Sequence, residues 1–249
     1  MWDNPALPGR AGGGGAAMAA NYPGRELEAM AFAVNYHRWI VGELAPFLGR
    51  RVAEVGAGIG SVSSLLLEQP IERLEAYEPS DNMFPQLAAR LAGEPRARAV
   101  NAFFGSEAPT QPFDSVAYIN VLEHIEDDGG ELGRAFAAIR PGGHLLVFVP
   151  ALGWLYSDFD RRIGHARRYS RAGLAQVARA AGFEVTRAKY FDLAGVLPWY
   201  LNCVLLGRGL GAGGVALYDR LVVPPMRRLE GWITPPLGKN LLMVGRKPA

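Results

Sequence analysis

From position 51 onward, short apolar runs alternate with stretches whose apolar residues recur every three or four positions. The runs Arg51–Val55, Arg73–Tyr77, Ala97–Phe104, Asp114–Asn120 and His144–Val149 are too short for helices and predict buried strands. The stretches Ser61–Glu68, Asp81–Ala92 and Asp127–Arg140 carry helical spacing, and Pro141-Gly142-Gly143 parts the last of them from the final run. Strands alternating with helices imply right-handed crossovers and an α/β, doubly wound, mostly parallel sheet. Ligands of such sheets sit at the carboxyl ends of the strands.

The flanks follow different patterns. From Arg25 to Phe47, the residues Leu27, Met30, Ala31, Val34, Trp39 and Ile40 predict an amphipathic helix, which Pro46 and Gly49 end. Residues 1–24, rich in Gly and Ala, are expected to be a mobile tail ahead of a single domain spanning 25–249. After the last parallel strand comes an Arg-rich loop, Tyr156–Tyr169, then a helix Arg171–Ala181 with Ser170 as N-cap and Gly182 past its end. A strand Phe183–Tyr190 and a final strand Asn240–Gly245 bracket an apolar, basic insertion, 192–239, expected to be helical though punctuated by Pro198, Pro224, Pro225, Pro235 and Pro236.

Composition removes several function classes. A chain of 249 residues with 49% hydrophobic and 20% charged residues is a folded domain, not a disordered, collagen-like or coiled-coil one. Its net charge of +2 is too small to neutralise many phosphates, so nucleic acid is not an expected partner. The single cysteine, Cys203, and histidines at 37, 124, 144 and 165 show no disulfide framework and no zinc-ligand spacing, so a reducing compartment and no metal are expected. No secretory pattern opens the chain, which predicts a cytoplasmic protein. The uncharged stretches Pro141–Ser157 and Leu193–Gly207 fall short of the roughly 18 to 20 apolar residues of a spanning helix, which leaves only peripheral membrane contact open.

Strand one runs into Glu54-Val55-Gly56-Ala57-Gly58-Ile59-Gly60-Ser61, where glycines let the backbone turn sharply and approach a ligand. A dinucleotide fingerprint would need its third glycine where Ser61 stands, so the spacing leans away from NAD. Glu78 ends strand two, 18 residues after Gly60, where a carboxylate can accept both hydroxyls of a ribose. Glycine loop and acid together mark a nucleoside cofactor site.

The strings VAEVGAGIGSVS, AYEPS, FDSVAYINVLEHIEDD and IRPGGHLLVFVPA, in that order, resemble motifs of the class I S-adenosylmethionine (SAM)-dependent methyltransferases of the small-molecule type. The resemblance covers about Asn35 to Phe191. It implies a seven-stranded, Rossmann-like sheet closed by an antiparallel hairpin, with SAM as cofactor. Carried over by position, Glu54, Gly56, Ala57, Gly58, Gly60 and Asn120 would face the methionine part, and Glu78 would hold the ribose. Tyr36 and Trp39 could form a lid over the cofactor, although a Trp at helical spacing is more often core. Asn101-Ala102-Phe103-Phe104 stands where a Gly-Asp pair is common, so adenine would rely on backbone and apolar contacts.

Methyl transfer needs a base only where the acceptor must lose a proton. His124 and His165 fall beside the expected cleft, and His165, oriented by Asp160, is the favoured catalytic residue, the alternatives being that His124 caps or stabilises the next helix and that His165 only hydrogen-bonds its loop. Arg167, Arg168 and Tyr169 read equally as loop salt bridges or as an anchor for a phosphate or acid on the substrate. The segment Leu193–Tyr218, with Trp199, Tyr200, Leu205, Leu206 and Leu210, would roof the pocket of a greasy acceptor. Arg208, Arg220, Arg227 and Arg228 beside it suit an anionic membrane surface or a prenyl phosphate, while core packing or a homodimer face is an equal reading. Asn120 is followed by Val121-Leu122 rather than Pro-Pro-Tyr, which argues against the family's methylation of nucleobase amines. The expected activity is methyl transfer to a hydroxyl, or less readily a carbon, of a small, lipid-like, glycan-like or natural-product acceptor. The alternatives are an NAD-dependent oxidoreductase and a non-catalytic SAM-fold binding or scaffold protein.

Overall fold

The computed structural model describes residues 33–209 and 211–249, so the expected tail, the first half of the leading helix and Leu210 lie outside the described residues. In chain order the elements are α1 (Val34–Leu44), β1 (Arg51–Val55), α2 (Ser61–Leu67), β2 (Arg73–Tyr77), α3 (Phe84–Leu91), β3 (Ala97–Val100), β4 (Phe113–Ile119), α4 (Asp128–Ala138) and β5 (Ile139–Pro150). There follow α5 (Asp158–Arg162), α6 (Arg171–Ala180), β6 (Glu184–Phe191), α7 (Val196–Trp199), a π-helical turn (Tyr200–Leu205), α8 (Ala212–Leu221), α9 (Val223–Trp232) and β7 (Asn240–Arg246). The seven strands form one sheet in the order β3-β2-β1-β4-β5-β7-β6. Its first four pairings are parallel, and β7 runs antiparallel to both β5 and β6. The seven-stranded, mostly parallel sheet is therefore present, with the antiparallel hairpin at one edge.

Alternation along the central strands builds two cores. Ala53, Val116, Tyr118, Leu145, Val147 and Met243 join Leu132 and Ala135 of α4 and Leu174 and Ala178 of α6. Their neighbours Val52, Ala117, Leu146, Phe148 and Leu242 join Trp39, Ile40 and Leu44 of α1 and Leu65 and Leu66 of α2. Being buried on both faces explains why these strands read as unbroken apolar runs.

Some element bounds differ from the sequence reading: β3 ends at Val100, not Phe104. β5 starts at Ile139, not His144, because Pro141-Gly142-Gly143 continues the strand; a Cβ on Gly143 would stand 2.6 Å from the Asp114 carbonyl oxygen. The insertion is largely helical, as expected. Pro224 and Pro225 lie in the first turn of α9, where a missing N–H is lost to no partner, so they begin a helix instead of breaking one. Among the described residues no helix is long and apolar enough to cross a membrane.

Candidate active site

After β1 the chain turns through Gly56, Gly58 and Gly60, all left-handed at φ 67, 57 and 81. A Cβ on Gly56 would stand 2.5 Å from Val121 Cγ2. The glycine-rich segment from Gly56 to Ile59 thus walls a cavity at the carboxyl ends of β1 and β4. Glu54, Asn120, Glu123, His124, His165 and Arg168 also line it, as do Tyr36, Trp199 and Lys239. Asn120 is itself left-handed at φ 55, where a short polar side chain is the best tolerated after glycine.

Glu78 lies beneath this loop rather than in the cavity wall. One of its oxygens accepts the Gly58 N–H at 2.8 Å and the other the Ser80 N–H at 2.8 Å. The carboxylate therefore fixes the glycine turn to the end of β2, and each oxygen keeps a second lone pair. Gly60 is the left-handed N-cap of α2 and packs toward Leu87 and Arg90.

The cavity is rich in buried acid. Glu54 is 3% exposed and takes a hydrogen bond from Ser63 Oγ. Burial pushes its carboxyl up to about 8, against the opposing pull of Ser63 and with a smaller push from Glu78. Glu123 is fully buried, and neither of its oxygens has a hydrogen-bond partner among the described residues. Burial pushes it up to about 8 as well, only partly offset by its own main chain and Arg168. Two acids without counter-ions suit a ligand that brings positive charge, as SAM does with its sulfonium and ammonium groups. The anionic pyrophosphate of a dinucleotide would meet repulsion on the same wall. With the glycine cradle, the residues present fit SAM.

His165 is the end of a buried chain of charges. Asp160 accepts from Arg168 Nε at 3.0 Å and Nη2 at 2.8 Å, and from the Ser157 N–H and Oγ, both at 2.9 Å, in a capping box at the start of α5. Burial alone would raise Asp160; His165, Arg168 and Ser157 more than reverse this and hold it below its ordinary value. Its Oδ1 lies 2.9 Å from His165 Nδ1. An ionised Asp160 can only accept, so Nδ1 carries the proton and Nε2 presents its lone pair. Nε2 stands 3.7 Å from Glu123 Oε1. The His124 ring meets that of His165 edge-on at 4.7 Å between centroids and hydrogen-bonds to the Gly164 main chain. Burial, then His165, pushes His124 down to about 4, so it is neutral near pH 7. Glu123, His124 and His165 each bring one donor atom within 4.8 Å of the others, a grouping capable of sharing a cation that histidine spacing along the chain gave no sign of.

The residues expected to bind substrate separate. Trp199 lines the cavity, its Nε1 donating to the Leu155 carbonyl at 3.1 Å and its ring lying 4.4 Å from Arg168 Cζ. Arg168 also lines it, but its charge is spent on Asp160 and its side chain is 1% exposed. Tyr169 faces the other way: it bridges to Ala151, and its hydroxyl donates to Asp128 Oδ2 at 2.8 Å. Consecutive residues of an extended segment point to opposite sides, so 168 and 169 cannot both face the cavity. Arg167 is an ion pair with Asp128, as the plainer reading held. Tyr36 lines the cavity from α1 and donates to Asn240 Oδ1 at 3.0 Å, whereas Trp39 is a core residue packed on Phe191 and forms no lid.

Sequence reasoning passed over Glu123 and Lys239. Glu123 sits beside His124 in the same motif, and that adjacency was the available signal. Lys239 has none: it enters from the residue before β7, 3.4 Å from Asp192 and 5.0 Å from the centre of the Tyr36 ring. With Tyr36 and Trp199 it separates the main cavity from a second one beneath the insertion, lined by Pro198, Asn202, Val215 and Tyr218.

A family model described as a methyltransferase domain matches residues 32–188. The ubiquinone biosynthesis O-methyltransferase of Xylella fastidiosa (strain 9a5c) is 30% identical over 116 residues, 43% of this chain and 44% of that protein. The ubiquinone/menaquinone biosynthesis C-methyltransferase UbiE of Nitrosospira multiformis is 28% identical over 190 residues, 65% of this chain and 75% of that one. The match thus spans less than half the length of the first relative. Haemonchus contortus phosphoethanolamine N-methyltransferase 2, solved with S-adenosyl-L-methionine, shares the fold at a TM-score of 0.61 and 16% identity, over 88% of this chain and 57% of that chain. All three bear methyltransferase names, which leaves the oxidoreductase alternative without support.

Proposed function

This chain belongs to the methyltransferase-domain family of SAM-dependent enzymes, and from that premise we propose that it methylates a hydroxyl of a small, apolar or lipid-like acceptor, with His165 taking the proton. The carrying observation is the buried series Arg168, Asp160, His165, which ends at a cavity also walled by the glycine loop. When bound, SAM supplies a methyl already activated by positive sulfur. The chain's own task is then to orient the acceptor and accept its proton. Asp160 holds Nδ1–H, so Nε2 receives the hydroxyl proton, and the imidazolium formed lies between Asp160 and Glu123, both able to stabilise it. An imidazole base suits a hydroxyl better than an unactivated carbon, which favours oxygen as the target. Glu54, Asn120 and the main chain of Gly56 to Gly58 would surround the cofactor's methionine end, with Glu78 acting on the ribose side from beneath the loop. Glycan-like and natural-product acceptors share the hydroxyl this chemistry needs. Peripheral membrane contact, rather than a homodimer face, is the reading of the insertion that its surface favours.

His165→Ala tests the assignment. Release of demethylated cofactor, measured over a panel of phenol and quinol acceptors, should fall about 10² to 10⁴-fold while calorimetric SAM affinity stays near wild type. Unchanged turnover would remove His165 from the mechanism.

A further inference from the structure

The insertion between β6 and β7 keeps its acids inside and its arginines outside. From 193 to 239 the acidic residues are Asp219 and Glu230, only 5% and 4% exposed. Asp219 accepts the main-chain N–H groups of Asn35 and Tyr36, and Glu230 those of Asp192 and Leu193. Arg208, Arg220, Arg227 and Arg228 are exposed, and none pairs with a carboxylate among the described residues. The surface charge of the insertion is therefore wholly positive, although the chain's net charge is only +2.

Large apolar side chains accompany that charge. Leu217 and Leu221, one turn apart on α8, are each 60% exposed, and Trp232 at the end of α9 is 92% exposed. Leu197, Leu201 and Leu205 are exposed at helical spacing along α7 and the π-helical turn. Exposed leucines, a tryptophan and unpaired arginines are the combination that seats a segment at the headgroup level of an anionic bilayer. An acidic protein would satisfy the arginines but has no comparable use for apolar residues spread over three elements. The second cavity lies under these helices and meets the main one at Tyr36, Trp199 and Lys239.

We propose that the insertion docks on an anionic lipid surface and that an amphiphilic acceptor passes from that surface through the second cavity toward His165. The passage rests on the methyl-transfer reading of the main cavity; the docking does not.

Flotation of the full chain with vesicles tests it, using phosphatidylcholine alone or mixed with phosphatidylglycerol. The chain should float with the mixed vesicles only, and added salt should release it. Arg220→Gln combined with Arg228→Gln should weaken partitioning about 30-fold, at roughly 1 kcal/mol per arginine, and Trp232→Ala should weaken it independently. Equal flotation with both vesicles, flotation with neither, or self-association abolished by Trp232→Ala in place of vesicle binding would overturn the docking. Calorimetry with SAM on the same proteins separates the two claims. Docking lost with cofactor affinity kept assigns those residues to the membrane surface, whereas a wild type that floats but binds no SAM defeats the catalytic reading alone.

Discussion

Replacing Asp160 by asparagine removes one charge from the buried series and almost no volume. Asp160 is fully buried, and its partner Arg168 has a side chain only 1% exposed, so the guanidinium would be left in the interior without its counter-ion. Breaking a buried pair from one side costs about 3 to 5 kcal/mol. Arg168 keeps its bond to the Ala151 carbonyl and its place over the Trp199 ring, so the lower end of that range is expected. At roughly 2 to 4 °C per kcal/mol for a chain of this size, Tm should fall by about 6 to 12 °C. The carboxyl is held below its ordinary value, so its stabilisation is present above the unfolded-state pKa and is lost as pH falls through the folded one. The gap between wild type and variant should therefore close below about pH 4. Urea unfolding at pH 7 of Asp160→Asn, Arg168→Met and the double variant provides the check, the double being less destabilised than the sum. A single variant within 1 kcal/mol of wild type, roughly the value of an exposed pair, would refute the idea that this charge pair organises the loop.

Gly56→Ala sets a Cβ 2.5 Å from Val121 Cγ2 on left-handed backbone, so stability should drop by about 1 to 3 kcal/mol and SAM affinity should fall with it. Wild-type affinity by calorimetry would show that the loop is not the cofactor wall. Glu54 and Glu123, pushed up to about 8 by burial, hold their protons near pH 7, and a cation in the cavity favours their ionised forms. SAM binding should thus expel protons and tighten from about pH 6 to 8, more steeply than S-adenosylhomocysteine, which lacks the sulfonium charge; heats independent of buffer ionisation enthalpy would contradict this. In the free chain the same raised values mean stability that is full below about pH 4.5 and fades as pH climbs through about 8, which unfolding curves across that range would show.

What was legible in the sequence was local. The strands announced themselves because both faces are buried, and the glycine loop because only residues without a Cβ fit its left-handed turn. His165 and Asp160 are five residues apart across one short helix, so their pairing was within reach of a sequence argument. Tyr169 was misplaced because Arg168-Tyr169 reads as a unit until the extended backbone assigns the two to opposite sides. Lys239 reaches the cavity only because β7 inserts between β5 and β6, a pairing between positions far apart in the chain. The insertion was legible as apolar and helical, but not which way its helices face, because their apolar residues lie outward as well as inward, which erases the period a helix facing one core would show.

That outward exposure bears on how one fold serves many acceptors. The glycine loop, Glu78 and β1 belong to the sheet, and they can seat a cofactor whatever the acceptor is. The proposed base, His165, comes from the loop after α5, held by the Arg168–Asp160 pair and not by the sheet, so it could be repositioned without disturbing the cradle. In the proposed passage the acceptor's route would be set by a third part, the insertion, touching the other two at Tyr36, Trp199 and Lys239. Changes in the insertion should therefore move acceptor choice and surface affinity together while leaving cofactor affinity alone, because the residues shared between the cavities lie on the acceptor's path and not in the glycine cradle.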